Sequence, residues 1–151
     1  MGYQEPTDAD LRLLRQAVEL SQLCPPSSTA FSVGAVVVDA NGNVLATGYS
    51  RETDPRAHAE EGALTKLDGE LPAGVTVYSS LEPCSSRASR PDSCASLIIA
   101  AGIGRVVFAL REPSVFVDGR GGEVLAGAGV TVIEATQLAS DVRRVNAHLL
   151  A

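Results

Sequence analysis

Tryptophan is absent from this chain of 151 residues, and aromatic side chains amount to three Tyr and three Phe. A surface that stacks the bases of a single strand needs aromatic platforms, and this composition does not supply them. Positive charge is also short. Twelve Lys and Arg face eighteen Asp and Glu, for a formal charge of −6, which argues against gripping long stretches of nucleic acid through phosphates. One phosphate in a local basic pocket stays compatible with that balance. No apolar run approaches the roughly 18 residues of a membrane span. The opening stretch from Met1 to Asp10 is polar and acidic, without the apolar segment of a signal peptide, so the expected location is cytoplasmic. Three cysteines, an odd number, do not make a disulfide framework. Neither repeats nor low-complexity linkers interrupt the chain, and the expectation is a single domain over 1–151, long enough to bury a core without staples.

What is present reads as alternating strands and helices. Asp8 to Leu23 carries Leu11, Leu14, Val18 and Leu20 near helical spacing, with Asp8 and Asp10 at the favourable N-terminal end. Cys24-Pro25-Pro26 stops it. The β-branched run Val33 to Val38, the turn-forming stretch Asp39 to Asn43 and the strand Val44 to Tyr49 predict a hairpin. Helices are expected over His58–Leu67, Ser96–Ala101 and Leu138–Leu150, and strands over Val75–Ser79, Arg105–Leu110 and Val130–Glu134. Gly119 to Gly122 lacks the Lys-Ser/Thr ending of a phosphate loop and reads as a flexible turn. The order implies an α/β fold, one central sheet with helices on both faces.

Two short segments carry the chemistry. Ala57-His58-Ala59-Glu60 opens the second helix, and Glu82-Pro83-Cys84 is followed, after nine intervening residues, by Cys94. One imidazole and two thiolates form a three-ligand zinc set that leaves a fourth position for water, and the thiolates cancel the metal's formal double charge. Cys94 stands just before an expected helix, whose dipole favours its thiolate. Mid-helix, side chains two residues apart point about 200° away from each other. At a helix N-terminus, however, His58 can turn to a metal while Glu60 faces what the metal binds. Such a carboxylate can take a proton from metal-activated water and return it to a leaving amine. A structural zinc site would close with a fourth protein ligand, and His148, the other histidine, belongs to the distant terminal helix. Cys24 reads as a small buried hydrophobe.

These residues match the zinc-deaminase signature, His-x-Glu followed by Pro-Cys-x-x-Cys, with the second gap lengthened. From about Ala30 to Glu134 the chain resembles the cytidine-deaminase-like superfamily. That resemblance implies a three-layer α/β/α sandwich with a five-stranded mixed sheet, one zinc per subunit, and a homodimer or higher homo-oligomer. The longer gap is similar to that of the deaminases of riboflavin biosynthesis, which act on a diaminopyrimidinone ribosyl or ribityl phosphate. Thr29 to Ala35, Thr47-Gly48-Tyr49-Ser50-Arg51-Glu52 and Glu82 to Ser89 with its Ser-x-Arg-x-Ser pattern look like the fungal type. Arg105-Val106-Val107, Glu112-Pro113 and Phe116-Val117 continue the likeness. The bacterial bifunctional form carries an Asn-Pro motif and a His where this chain has Ala30-Phe31 and Ser86, so the expectation is a free-standing deaminase.

Between the cysteines, Arg87 and Arg90 lie among Ser85, Ser86, Ser89 and Ser93. Arginine's planar fork suits phosphate, and hydroxyls add donors, so Ser85, Arg87, Ser89 and Arg90 are candidate contacts for the substrate's phosphate or polyol tail. The bland alternative is solvated loop charge. Phe31 is a candidate for holding the ring. The expected activity is hydrolytic deamination of a small aminopyrimidine. Alternatives are a deaminase of cytosine, cytidine or deoxycytidine monophosphate, a tRNA or DNA base deaminase, and a catalytically silent zinc-binding module.

Overall fold

The computed structural model describes residues 5–85, 93–111 and 121–150. Five strands form one mixed sheet in the order β2-β1-β3-β4-β5: β1 (Gly34–Val38), β2 (Val44–Tyr49), β3 (Thr76–Leu81), β4 (Arg105–Leu110) and β5 (Thr131–Glu134). The strand β1 runs antiparallel to both neighbours, with Val36 opposite Thr47 and Tyr78. Parallel pairing takes over from β3 to β5, with Val77 beside Val106 and Val106 beside Val132. Every residue of β1 and β3 is buried, as expected of central strands covered on both faces.

On one face lie α1 (Asp8–Ser21), packed across β1, β3 and β4, and α5 (Ala139–Val145), packed on β4 and against α1. On the other lie α2 (Ala59–Thr65) against β2 and β1, then α3 (Cys94–Ala100) and α4 (Gly121–Gly127), which reaches β5. This is the expected three-layer sandwich. Helix α1 starts at a capping box that sequence reading overlooked: Thr7 accepts from the Asp10 N–H at 3.0 Å, and Asp10 accepts from the Thr7 N–H at 2.9 Å. Gly48 sets how closely α2 approaches the sheet. A Cβ there would collide with the Ala59 carbonyl and lie 2.6 Å from the Ala63 nitrogen, so the helix that begins beside His58 rests directly on β2.

Three local readings need correction. Helix α3 begins at Cys94, not Ser96, because the Ser93 hydroxyl caps it by accepting from the Ser96 N–H at 3.1 Å. Gly121 and Gly122 are no flexible turn; they open α4, and both are buried. The terminal helix is not continuous. A 3-10 turn (Thr136–Leu138) precedes α5, and Asn146 separates it from α6 (Ala147–Leu150). Buried Asn146 accepts from the Ser32 N–H at 2.7 Å and donates to the carbonyls of Ser32 and Val142 at 3.1 Å each. Its amide thus imitates a strand partner for Ser32 instead of continuing the helix. Among the described residues, no helix is long and apolar enough to cross a membrane.

Candidate active site

The antiparallel pairing places the N-terminal end of β1 at the same sheet edge as the C-terminal ends of β2, β3 and β4. Clefts outside the carboxyl ends of parallel strands are where α/β sheets hold their ligands. The candidate metal ligands His58, Cys84 and Cys94 converge here. A turn after β2, with the Ala57 N–H on the Asp54 carbonyl and the Arg56 N–H on the Asp54 carboxylate, delivers the chain to His58. His58 is the N-cap of α2 in extended conformation (φ −87°, ψ 159°), and its N–H donates to Glu61 at 3.3 Å. The cap position removes the helical-phase objection: His58 leaves the helix cylinder, while Glu60, 4% exposed, lies in the first turn.

Beyond β3 the chain passes through Glu82-Pro83 to Cys84, which is buried, as is Cys94 at the first position of α3. The His58 Nδ1 lies 3.6 Å from the Cys84 sulfur and 3.3 Å from the Cys94 sulfur. The start of α3 is turned onto Cys84: the Cys94 N–H donates to its sulfur at 3.2 Å and the Ala95 N–H to its carbonyl at 3.0 Å. The Cys84 thiol is held well below its ordinary value, first by its hydrogen bond with the Cys94 side chain. Burial opposes this, and the His58 ring and Cys94 N–H outweigh it. His58, Cys84 and Cys94 bring their ligand atoms within 4.8 Å of one another. A borderline nitrogen and two soft sulfurs, one already biased to thiolate, are the donor set that zinc takes. The residues present fit that metal.

Behind the trio stands a support that sequence reading missed. Glu82, 2% exposed, accepts from the Gly122 N–H at 2.8 Å and pairs with Arg111 at 3.7 Å. Gly121 packs so closely on Pro83 that a Cβ would overlap the Pro83 carbonyl oxygen. The start of α4 therefore braces the turn that carries Cys84. The Gly-Gly pair gave no signal by itself, since neighbouring glycines read locally as a turn.

Phe31 is 8% exposed and leads into β1 at this same edge. Ser85, next to Cys84, is half-buried. Arg87, Ser89 and Arg90 lie outside the described residues, as do Ser86, Glu112-Pro113, Phe116-Val117 and the Gly119-Arg120 part of the glycine-rich stretch. Cys24 is half-buried, not buried, with its sulfur 3.5 Å from the Val33 carbonyl. His148, far along the chain, meets the Ser27 carbonyl at 2.8 Å instead of joining the trio.

Comparison with known proteins fits this geometry. Residues 7–110 match the family described as the cytidine and deoxycytidylate deaminase zinc-binding region. Over 133 residues the chain is 40% identical to the diaminohydroxyphosphoribosylamino-pyrimidine deaminase of Schizosaccharomyces pombe, covering 85% of this chain and 33% of that protein. It is 38% identical over 120 residues to the riboflavin biosynthesis protein RibD of Escherichia coli, covering 79% of this chain and 31% of the relative. The chain thus spans about a third of the length of these relatives. Among solved structures, the Aspergillus oryzae Rib2 deaminase superposes with a TM-score of 0.78 at 25% identity, covering 90% of this chain and 89% of that one. With the His-x-Glu and Pro-Cys segments assembled at one sheet edge and the family match spanning both strands and ligands, the chain belongs to the zinc-binding family of cytidine and deoxycytidylate deaminases.

Proposed function

We propose that this chain is a zinc-dependent hydrolytic deaminase whose substrate is a small aminopyrimidine, the diaminopyrimidinone bearing a ribosyl or ribityl phosphate. The observation that carries the reading is the buried Glu60 in the first turn of the helix whose N-cap, His58, stands with Cys84 and Cys94 in one cluster. The names of the S. pombe and E. coli relatives support the substrate class. Deamination consumes water and releases ammonia, exchanging the exocyclic C–N bond for C=O.

His58 Nδ1 and the sulfurs of Cys84 and Cys94 would hold the metal. Zinc, when bound, supplies a water acidified toward neutrality. The Glu60 carboxylate takes the proton of the attacking water and delivers it to the ring nitrogen beside the amine-bearing carbon. In a second transfer Glu60 takes the remaining proton from the added hydroxyl and places it on the departing amine, so the C=O forms as the C–N bond breaks and ammonia leaves neutral. The start of α3, with its N–H groups on Cys84, keeps the thiolate ionised and oriented. Phe31 borders the ring, and Ser85 with Arg87, Ser89 and Arg90 receive the phosphate or polyol tail.

The test is ammonia release on a panel of the ribosyl and ribityl diaminopyrimidinone phosphates, cytidine, cytosine, deoxycytidine monophosphate and guanine. Turnover of the diaminopyrimidinones alone, lost on chelation and restored by zinc, is the expected result. Turnover of deoxycytidine monophosphate or cytidine instead would keep the mechanism and replace the substrate; the family description, which names cytidine and deoxycytidylate deaminases, makes this the second reading.

A further inference from the structure

Arg51 stands at φ 62°, and among the described residues it is the one non-glycine with a positive φ. A residue with a Cβ adopts this left-handed conformation at an energetic cost that glycine does not bear. Arginine at such a place implies that its side chain serves a purpose a glycine could not. The contacts show which. The guanidinium donates through Nε and Nη2 to the Pro25 carbonyl at 3.1 and 2.7 Å, through Nη1 to the Phe31 carbonyl at 3.1 Å, and through Nη2 to the Ser32 hydroxyl at 3.1 Å. Its backbone N–H donates to the Ala57 carbonyl at 2.7 Å, one residue before His58. One residue therefore grips two segments at once, the stretch from Pro25 to Ser32 that enters β1 and the turn that delivers His58. Both lie at the sheet edge where β3 runs out toward Cys84, and Gly34 is tied to that strand through the Ser80 hydroxyl at 3.0 Å.

We infer that Arg51 is a positioning residue for substrate: it sets the Phe31–Ser32 wall at a fixed place relative to the His58 turn, and so fixes where the ring sits against the metal site. The inference rests on the deaminase reading for its substrate and on the geometry for the clamp. Its planar fork is what spans three acceptors; a lysine ammonium has no such fixed spread. The rest of the wall is held from the other side by Asn146, so loss of Arg51 loosens it without unfolding the chain.

The discriminating variant is Arg51→Gly, which suits the left-handed backbone and removes only the fork. Zinc content and melting temperature are expected to stay at wild-type values. KM for the ring turned over by the wild type should rise roughly tenfold or more, with kcat within about threefold, because binding geometry and not proton transfer is disturbed. Arg51→Lys should fall between the two. Hydrogen exchange should speed up in peptides covering 25–33 and 51–58, while α1 and β3 stay protected. A residue that merely shapes the turn predicts the opposite: Arg51→Gly would raise the melting temperature and leave KM and exchange unchanged, which overturns the inference. Loss of zinc from Arg51→Gly overturns it too, since the residue would then act on the metal site. If the wild type turned over no member of the panel, the deaminase reading would fail by itself, and unchanged exchange over 25–33 would still strike down the clamp.

Discussion

A single side chain decides whether the trio holds metal. Cys84 is buried, biased toward thiolate and within reach of both partners. Serine at this position keeps the volume and loses the soft donor. We expect Cys84→Ser to reduce bound zinc from a single equivalent per chain to a small fraction by metal analysis, with the fold retained in circular dichroism. Stoichiometric zinc in that variant would remove Cys84 from the ligand set. At Gly121 the constraint is steric, not chemical. Alanine there must push against the Pro83 carbonyl next to Cys84, so Gly121→Ala should weaken zinc retention against a competing chelator by about tenfold, the lower end of what distorted supporting contacts cost a metal site. Alanine at Gly127, where nothing lies within 4 Å, is the control.

At the scale of elements, Asn146 shows how a terminal helix can serve a distant loop. Asn146→Ala strips partners from the buried Ser32 N–H and from the Ser32 carbonyl. Leaving such groups unsatisfied costs about 1–3 kcal/mol each in the buried state, so urea unfolding should show a loss of at least that order, while exposed Arg144→Ala should show almost none. This break was not legible in the sequence. Leu138 to Leu150 has helical periodicity throughout, and only the tertiary partner, more than a hundred positions away, explains why Asn146 leaves the helix. The strands were legible because their signal is local: β2 and β4 lie over Val44–Tyr49 and Arg105–Leu110, where the sequence predicts them. The His58, Cys84 and Cys94 cluster was legible because rare, chemically committed residue types announce themselves by spacing. The support of Glu82, Gly121 and Gly122 was not, since a buried carboxylate looks like any other Glu until its partner is in view. Helix α4 hid for a related reason, because two glycines at its start read locally as a turn.

Across the whole molecule, the end of the sheet opposite the site is locked by charge. Asp10 of α1 accepts from Arg105 of β4 at 2.8 and 2.7 Å and from the Tyr78 hydroxyl of β3 at 2.6 Å. Burial alone would raise the Asp10 pKa, but the bonds from Arg105, Tyr78 and the Thr7 N–H together hold it well below the usual carboxylate range. Its stabilising contribution is therefore present above the unfolded value of 3.8 and fades as pH falls below it. Burial first, then the bond to Asp10, pushes Tyr78 up to about 12, so its contribution is present below pH 10 and is lost as pH rises toward 12. Asp10→Asn should destabilise the chain by about 2–4 kcal/mol near neutrality, since it leaves Arg105 partly buried without its counter-charge. The gap between variant and wild type in urea unfolding should narrow steadily below pH 4. A gap that stayed constant down to pH 2 would contradict this account of the α1–sheet lock. With that far end fixed, substitutions at the edge that holds His58, Cys84 and Cys94 test chemistry and not folding. The most direct measurement is the rate of ammonia release by the zinc-loaded chain and by Glu60→Ala loaded with the same zinc, on the diaminopyrimidinone phosphate. Turnover by the first is expected, with a rate lower by a factor of roughly 10²–10⁴ in the second, the span of a lost general acid–base. Equal rates at equal zinc would contradict this, for the proton transfers would then run without the Glu60 carboxylate.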